Sequence, residues 1–281
     1  MRFGIKTAPQ HTDWNDMLDV WRGADDIDLF ESAWNFDHFY PILGMDPHGP
    51  CLEGWTMLAA MAQATRRIRI GCLVTGIVYR HPAVLANMAA TVDIVSDGRL
   101  ELGVGAGWNE EECGAYGIEL GSLRERFDRF DEAVEVIVSL LTKQTTTFEG
   151  TWFQLDEAWC EPKPVQRPHP PIVIGGTGER RTLRTAARWA QHWNFPGGTV
   201  DAWQHKRDVL HEHCAAIGRD PKEITTSVHL RLSPETDVGA LAEDAARWRD
   251  AGMDLGIVTL PPPHRASVLE PVAQALRPLA G

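Results

Sequence analysis

Apolar positions along this chain alternate between two rhythms, a short strand-like run and a longer helical stripe, almost from end to end. RFGIKT (2–7) reads as a strand and DWNDMLDVWRGADD (13–26) as a helix. LFESAWNFDHF (29–39) is the next strand and EGWTMLAAMAQAT (53–65) the next helix. RIRIGCLVTG (67–76) is an apolar, β-branched run, and the helix after it accepts Pro82 in its first turn. RLELGVGAG (99–107) then precedes SLRERFDRFDEAVEVIVSLLTK. There Leu123, Phe127, Phe130, Val134, Ile137 and Leu141 fall three and four apart, which makes one apolar helical face.

Residues 144–171 break the rhythm. TTTFEGTWFQL predicts a hairpin turning at Glu149-Gly150, and the proline-rich EPKPVQRPHPP returns the chain to the scaffold. IVIGG, HWNFPG, TTSVHLRLS and LGIVTLP continue as strands, each followed by a helical segment, the last from Arg265 to about Leu279. Eight strand–helix units result. They predict an α/β fold, a (β/α)8 TIM barrel over residues 1–281 as one domain, with the hairpin inserted after the fourth helix. An open doubly wound sheet would want a glycine fingerprint after the first strand, and GIKTAPQ is not one.

The length of 281 residues suits a barrel, which takes about 250. A net charge of −12 disfavours nucleic acid and anionic membranes as partners. No apolar run approaches the ~20 residues of a bilayer span, and the N-terminus enters a strand at once, so a cytoplasmic protein without a signal peptide is expected. The five cysteines are scattered singly, which suits a reducing compartment. No zinc spacing appears, and the two histidines of LHEHC, two apart, do not share a helix face; no metal is expected.

In a barrel, chemistry gathers at the C-terminal strand ends. Asp37-His38 ends the second strand, and an imidazole whose tautomer a carboxylate fixes can hold or move a proton. IGCLVTG places Cys72, Leu73, Val74 and Thr75 where a strand either bulges or simply turns. GVGAGWNEEE carries Gly103, Gly105 and Gly107, but Trp108 stands where a dinucleotide loop closes on glycine. These glycines allow either a flat ligand or a helix to approach the backbone. IGGTGERR, with Gly175, Gly176, Thr177 and Gly178 before a helix, reads as an anion cradle that Arg180 or Arg181 assists, or as a tight turn. Asn194 ends the following strand.

Several longer stretches, taken together, resemble the bacterial luciferase-like family, in particular its branch that uses the deazaflavin coenzyme F420. They are WNFDHFYP, the run from RIRIGCLVTG to ECGAYGI, RFDRFDEAVEVI, TFEGTWFQL, PKPVQRPHPPIVIGG and ERRTLRTAARWAQHWN, over most of residues 30–195. The resemblance implies a deazaflavin lying across the barrel mouth and a non-proline cis peptide, at Cys72-Leu73, beneath its ring. It also implies that Asp37 contacts the cofactor and that His38 faces the site as the catalytic residue. Cys72 to Thr75, Gly105, Gly107, Trp108, Gly175 to Gly178 and Asn194 are then the expected cofactor contacts. A small-molecule substrate and a homodimer are expected as partners. Two rival readings keep the barrel: a monooxygenase using flavin mononucleotide (FMN), and a protein that binds a flavin or deazaflavin without turnover.

The chain departs from the family's sugar-phosphate dehydrogenases in two places. Ile42 stands where they carry a tryptophan, and Trp108 where they carry a glutamate. The proton-shuttling carboxylate is missing at that position, and Glu110 or Glu111 replaces it only if the loop turns inward.

Overall fold

The computed structural model describes residues 1–233 and 237–281. From the N-terminus its elements are β1 (Arg2–Thr7), α1 (Trp14–Asp26), β2 (Phe30–Asn35), α2 (Gly54–Ala64), β3 (Arg69–Cys72), β4 (Thr75–Gly76), α3 (Pro82–Val95) and β5 (Leu102–Gly105). Then come α4 (Glu110–Ala115), α5 (Leu123–Thr142), β6 (Thr146–Glu149), β7 (Gln154–Ala158), β8 (Ile172–Gly175), α6 (Thr182–Trp189) and β9 (His192–Phe195). α7 (Val200–Ala216), β10 (Thr225–Arg231), α8 (Val238–Asp250), β11 (Leu255–Leu260) and α9 (Leu269–Leu276) complete the chain.

The main sheet is parallel and runs β3-β2-β1-β11-β10-β9-β8-β5-β4. Its nine segments make eight strands, because β3 and β4 are halves of one strand separated by Leu73 and Val74. β3 pairs with β2, β4 pairs with β5, and Ile70 bridges Leu100, so the interrupted strand joins the two edges of the sheet. The fold is the predicted (β/α)8 barrel.

Local chemistry explains most of the element ends. Asp13 caps α1 through the Asp16 amide, and Ser122 and Glu125 form a reciprocal capping box at the start of α5. Pro82 sits in the first turn of α3, where no backbone donor is needed. α4 was not legible as a helix. It is short and starts on an Asn109 side chain that accepts from the Glu112 amide.

The hairpin forms where the sequence places it, with β6 antiparallel to β7. Its tip is tied to α5, whose Glu132 carboxylate accepts from the amides of Thr151, Trp152 and Phe153 at 2.8–3.2 Å. The last helix is shorter than expected. α9 starts at Leu269, and short 3-10 turns at 266–268 and 277–279 flank it.

The core has two parts. The larger lies between barrel and helices and holds side chains such as Phe3, Trp21, Leu58 and Phe130. The smaller fills the barrel interior with Trp34, Leu73, Val173, Leu255 and Ile257. Beside this interior cluster runs a polar column. Asn194 donates to Ser227 at 2.9 Å, Ser227 pairs with His192 Nε2 at 2.6 Å, and His192 Nδ1 pairs with Glu101 at 3.1 Å. Burial raises the Glu101 carboxyl, but His192 and Arg69 outweigh it and hold the pKa at about 2. A buried polar chain is tolerated here because each member has a partner.

Candidate active site

A cavity of about 460 Å³ opens at the C-terminal ends of the strands. Leu73 and Val74 form part of its wall, in the gap between β3 and β4. The non-proline cis bond is Leu73–Val74, one residue later than the Cys72-Leu73 bond that the resemblance implies. Val74 projects over the ends of β5 and β8. A Cβ at Gly105 would lie 2.9 Å from Val74 Cγ2, and one at Gly175 would lie 3.3 Å from Cγ1. At Gly103 a Cβ would come within 2.0 Å of the Cys72 carbonyl oxygen. These glycines therefore make room for the chain's own Val74 and Cys72. Gly103 serves packing, while Gly105 and Gly175 also line the cavity.

His38 lines the same cavity from the end of β2 and is 7% exposed. Its Nδ1 lies 2.7 Å from Glu112 Oε2. The other carboxylate oxygen accepts from the Phe39 amide at 2.7 Å, and the Tyr79 hydroxyl donates to Oε2 at 2.5 Å. Burial raises the Glu112 carboxyl, but the hydrogen bonds from His38, Tyr79 and Phe39 outweigh it and hold the group below the usual range. Burial first, and Glu112 second, push the Tyr79 hydroxyl above its ordinary value, so it stays a donor. An ionised Glu112 is acceptor-only, which puts the shared proton on His38 Nδ1. The Nε2 atom has no protein partner among the described residues. Trp108, 55% exposed, sets its ring edge-on to the His38 imidazole, with centroids 5.6 Å apart.

Asp37 is turned the other way. It is fully buried, accepts from Arg80 at 2.5 and 3.0 Å, and does not line the cavity. Arg80 also pairs with Glu53, which caps α2 through the amides of Trp55 and Thr56. The first turn of α2 presses on this corner. A Cβ at Gly54 would lie 2.5 Å from the Phe36 carbonyl oxygen. Burial raises the Asp37 carboxyl and Arg80 opposes it, with a net rise. This triad fixes the loop that carries His38.

With that geometry in place, comparison with known proteins settles the kinship. A family model described as luciferase-like monooxygenase matches residues 1–278. The chain belongs to the luciferase-like monooxygenase family. One relative in the family, named an F420-dependent glucose-6-phosphate dehydrogenase, from Amycolatopsis mediterranei, is 32% identical over 88% of this chain and 74% of its own. Among solved structures, an F420-dependent secondary alcohol dehydrogenase in complex with an F420-acetone adduct superposes with a TM-score of 0.83. It is 20% identical and covers 96% of this chain and 98% of its own. The coenzyme F420-dependent tetrahydromethanopterin reductase of Methanopyrus kandleri superposes with a TM-score of 0.84 at 18% identity, covering 100% of this chain and 99% of its own.

Of the residues predicted for the site, His38, Leu73, Val74, Gly105, Gly107, Trp108, Gly175, Gly176 and Asn194 line this luciferase-like cavity. Asp37, Cys72, Thr75, Thr177 and Gly178 do not. Asp37 is given over to Arg80, Cys72 faces the core at 1% exposure, and Thr75 accepts from Trp55 Nε1 at 2.8 Å. Thr177 and Gly178 lie on the approach to α6, outside the lining. Arg181 does not assist there, because Asp128 and Asp131 of α5 hold its guanidinium at 2.7 and 2.9 Å.

Sequence reasoning missed Glu112, Tyr79, Arg80, Lys6, His229 and Arg231. Only Glu112 left a signal. With Asn109 as the N-cap, Glu112 takes the third helical position, beside the buried Cys113, whereas Glu110 and Glu111 face outward.

Proposed function

We propose that this chain is an oxidoreductase that binds the deazaflavin coenzyme F420 at the barrel mouth and exchanges a hydride with a small organic substrate. The observation that carries this reading is the His38–Glu112 pair, with its unpartnered Nε2, set in a cavity whose floor is apolar and bare of side chains at glycines. The F420-dependent relatives support it.

The residues present fit such a group. Leu73 and Val74 offer an apolar surface to one face of a flat ring, and Gly105, Gly107 and Gly176 bring backbone to its edge. Thr177 and Gly178, in the turn between β8 and α6, would offer backbone amides to a phosphate on the cofactor's side chain. When bound, the deazaflavin supplies the hydride-carrying carbon.

The protein's own part is proton handling and exclusion of water. His38 keeps Nδ1–H on Glu112 and presents Nε2 to the substrate, taking a proton from a hydroxyl or returning one to a carbonyl oxygen. Tyr79 and the Phe39 amide keep Glu112 ionised and so keep His38 in that tautomer. Trp108 and Leu43 shield the mouth. The substrate is a small molecule, no nucleic acid takes part, and the working form is a homodimer, which sedimentation velocity checks. No helix among the described residues is long and apolar enough to cross a membrane.

Fluorescence titration tests the cofactor. Coenzyme F420 is expected to bind with micromolar or tighter Kd, and FMN about tenfold or more weaker, a gap of roughly 1.4 kcal/mol. The reverse order would move the chain to the oxygen-activating FMN reading.

A further inference from the structure

The cavity is cationic in an acidic protein. The chain carries 39 acidic residues against 27 Lys and Arg, yet the cavity lining contains no aspartate or glutamate. It contains Lys6, from β1, and Arg231, from the end of β10. Neither makes an ion pair among the described residues. The Lys6 ammonium is half-buried and donates only to the Leu73 carbonyl oxygen, at 3.1 Å. His229, also in the lining, adds no negative charge, and its Nε2 is taken up by Asn194 Oδ1 at 3.1 Å. Asp244 borders the neighbouring cavity, which Arg231 and His229 also line, and is held by Arg247 at 2.7 Å. An ammonium partly withdrawn from water without a counter-charge is costly, and an anionic ligand would offset that cost.

We propose that Lys6 and Arg231 form an anion subsite for the substrate's carboxylate, so that the oxidoreductase acts on small organic acids. This rests on the reading that the cavity is a substrate-bearing active site. His38 and the two cations line one cavity, so a molecule anchored by its carboxylate on β1 and β10 presents its remaining atoms to Nε2. Burial first, then Arg231, lowers the Lys6 pKa to about 8, with the buried Cys72 thiol opposing; Lys6 is thus charged at neutral pH and readily loses that charge above it. His229 and Arg231 of β10 and Cys72 of β3 are the titratable groups that face it.

Calorimetric titration with benzoate and its uncharged isostere benzamide tests the subsite, with and without coenzyme F420. Benzoate is expected to bind about tenfold or more tightly than benzamide, as a charge-assisted hydrogen bond demands. Lys6→Met and Arg231→Met should each cost benzoate about tenfold, leave benzamide unchanged, and leave the coenzyme's Kd within about twofold. In the wild type benzoate affinity should fall as pH rises through about 8, and in Arg231→Met the fall of the residual affinity should move to higher pH, because Arg231 is one cause of the lowered Lys6 pKa. Circular dichroism melts confirm that each variant is folded. Equal binding of the two probes, or variants with no effect on benzoate, overturns the proposal. A tenfold loss of coenzyme affinity in the same variants also overturns it, since the anion held there is then the cofactor's own phosphate. Failure of the cofactor reading shows separately: wild type that ignores coenzyme F420 but still prefers benzoate sinks that reading and leaves the anion subsite standing.

Discussion

His38→Ala is expected to lower kcat by about 10²–10⁴-fold, the usual worth of a positioned proton donor or acceptor. The Kd for coenzyme F420 should change by no more than about threefold, because the apolar floor and the glycine-lined edges lie on β3 to β8 and not on β2. Glu112→Gln separates orientation from proton transfer. An amide still accepts from the Phe39 amide, but it no longer carries the charge that keeps the proton on His38 Nδ1. Turnover in that variant should fall by less than in His38→Ala, with KM little changed. Stopped-flow absorbance of the coenzyme under single-turnover conditions reads the step directly. If His38→Ala loses coenzyme binding yet keeps its turnover per bound coenzyme, His38 is structural and the proton role is lost.

Arg80→Met should destabilise the fold by about 3–5 kcal/mol at pH 7, the cost of leaving a buried charge without its partner. Asp37 has no exposure to water and no ion pair except with Arg80 among the described residues, and Glu53 adds a second carboxylate to the same corner. The pH dependence follows from the direction of the Asp37 shift. Its folded pKa is already raised by burial and rises further once Arg80 is gone. The folded variant then binds more protons than the unfolded chain, so its deficit shrinks as pH falls toward the raised pKa and is largest above it. Asp37→Asn in the Arg80→Met background should recover much of the loss, since no charge is left to bury. Urea denaturation at pH 7 and pH 5 measures both effects. A loss below about 1 kcal/mol, or one independent of pH, would mean that the triad is not what holds the loop.

The barrel was readable because parallel strands covered on both faces leave continuous apolar runs, and because helices between them keep the 3.6 period. The hairpin was readable from its break in that period. His38 was readable because its motif lies at one strand end. The rest of its machinery was not. Tyr79 and Arg80 come from a loop 41 and 43 residues from the groups they touch, His38 and Asp37, and neither carries a local pattern that points across that gap. Asp37, expected beside the cofactor, stands off the cavity lining. Past the end of β2, Asp37 turns onto Arg80 and His38 into the cavity, so a pair that looks like one constellation in sequence divides between cavity and scaffold. Lys6 and Arg231 lie near strand ends far apart in sequence, and it is the pairing of β1 and β10 with β11, which sets both opposite Thr259, that brings them together.

The two-part strand has a consequence for how such a protein diversifies. The floor of the cavity is also the seam of the barrel, because β3 and β4 each hold one edge of the sheet. A substitution that reshapes the floor at Leu73 or Val74 therefore acts on ring closure as well as on the ligand. The opposite wall is built on β1 and β10, which run unbroken for six and seven residues with partners on both sides. Apart from Lys6, which donates to the Leu73 carbonyl oxygen, side chains on those strands can change with less effect on the join. Variation in substrate preference should thus accumulate on the unbroken wall, while the seam stays tied to whatever molecule lies flat upon it.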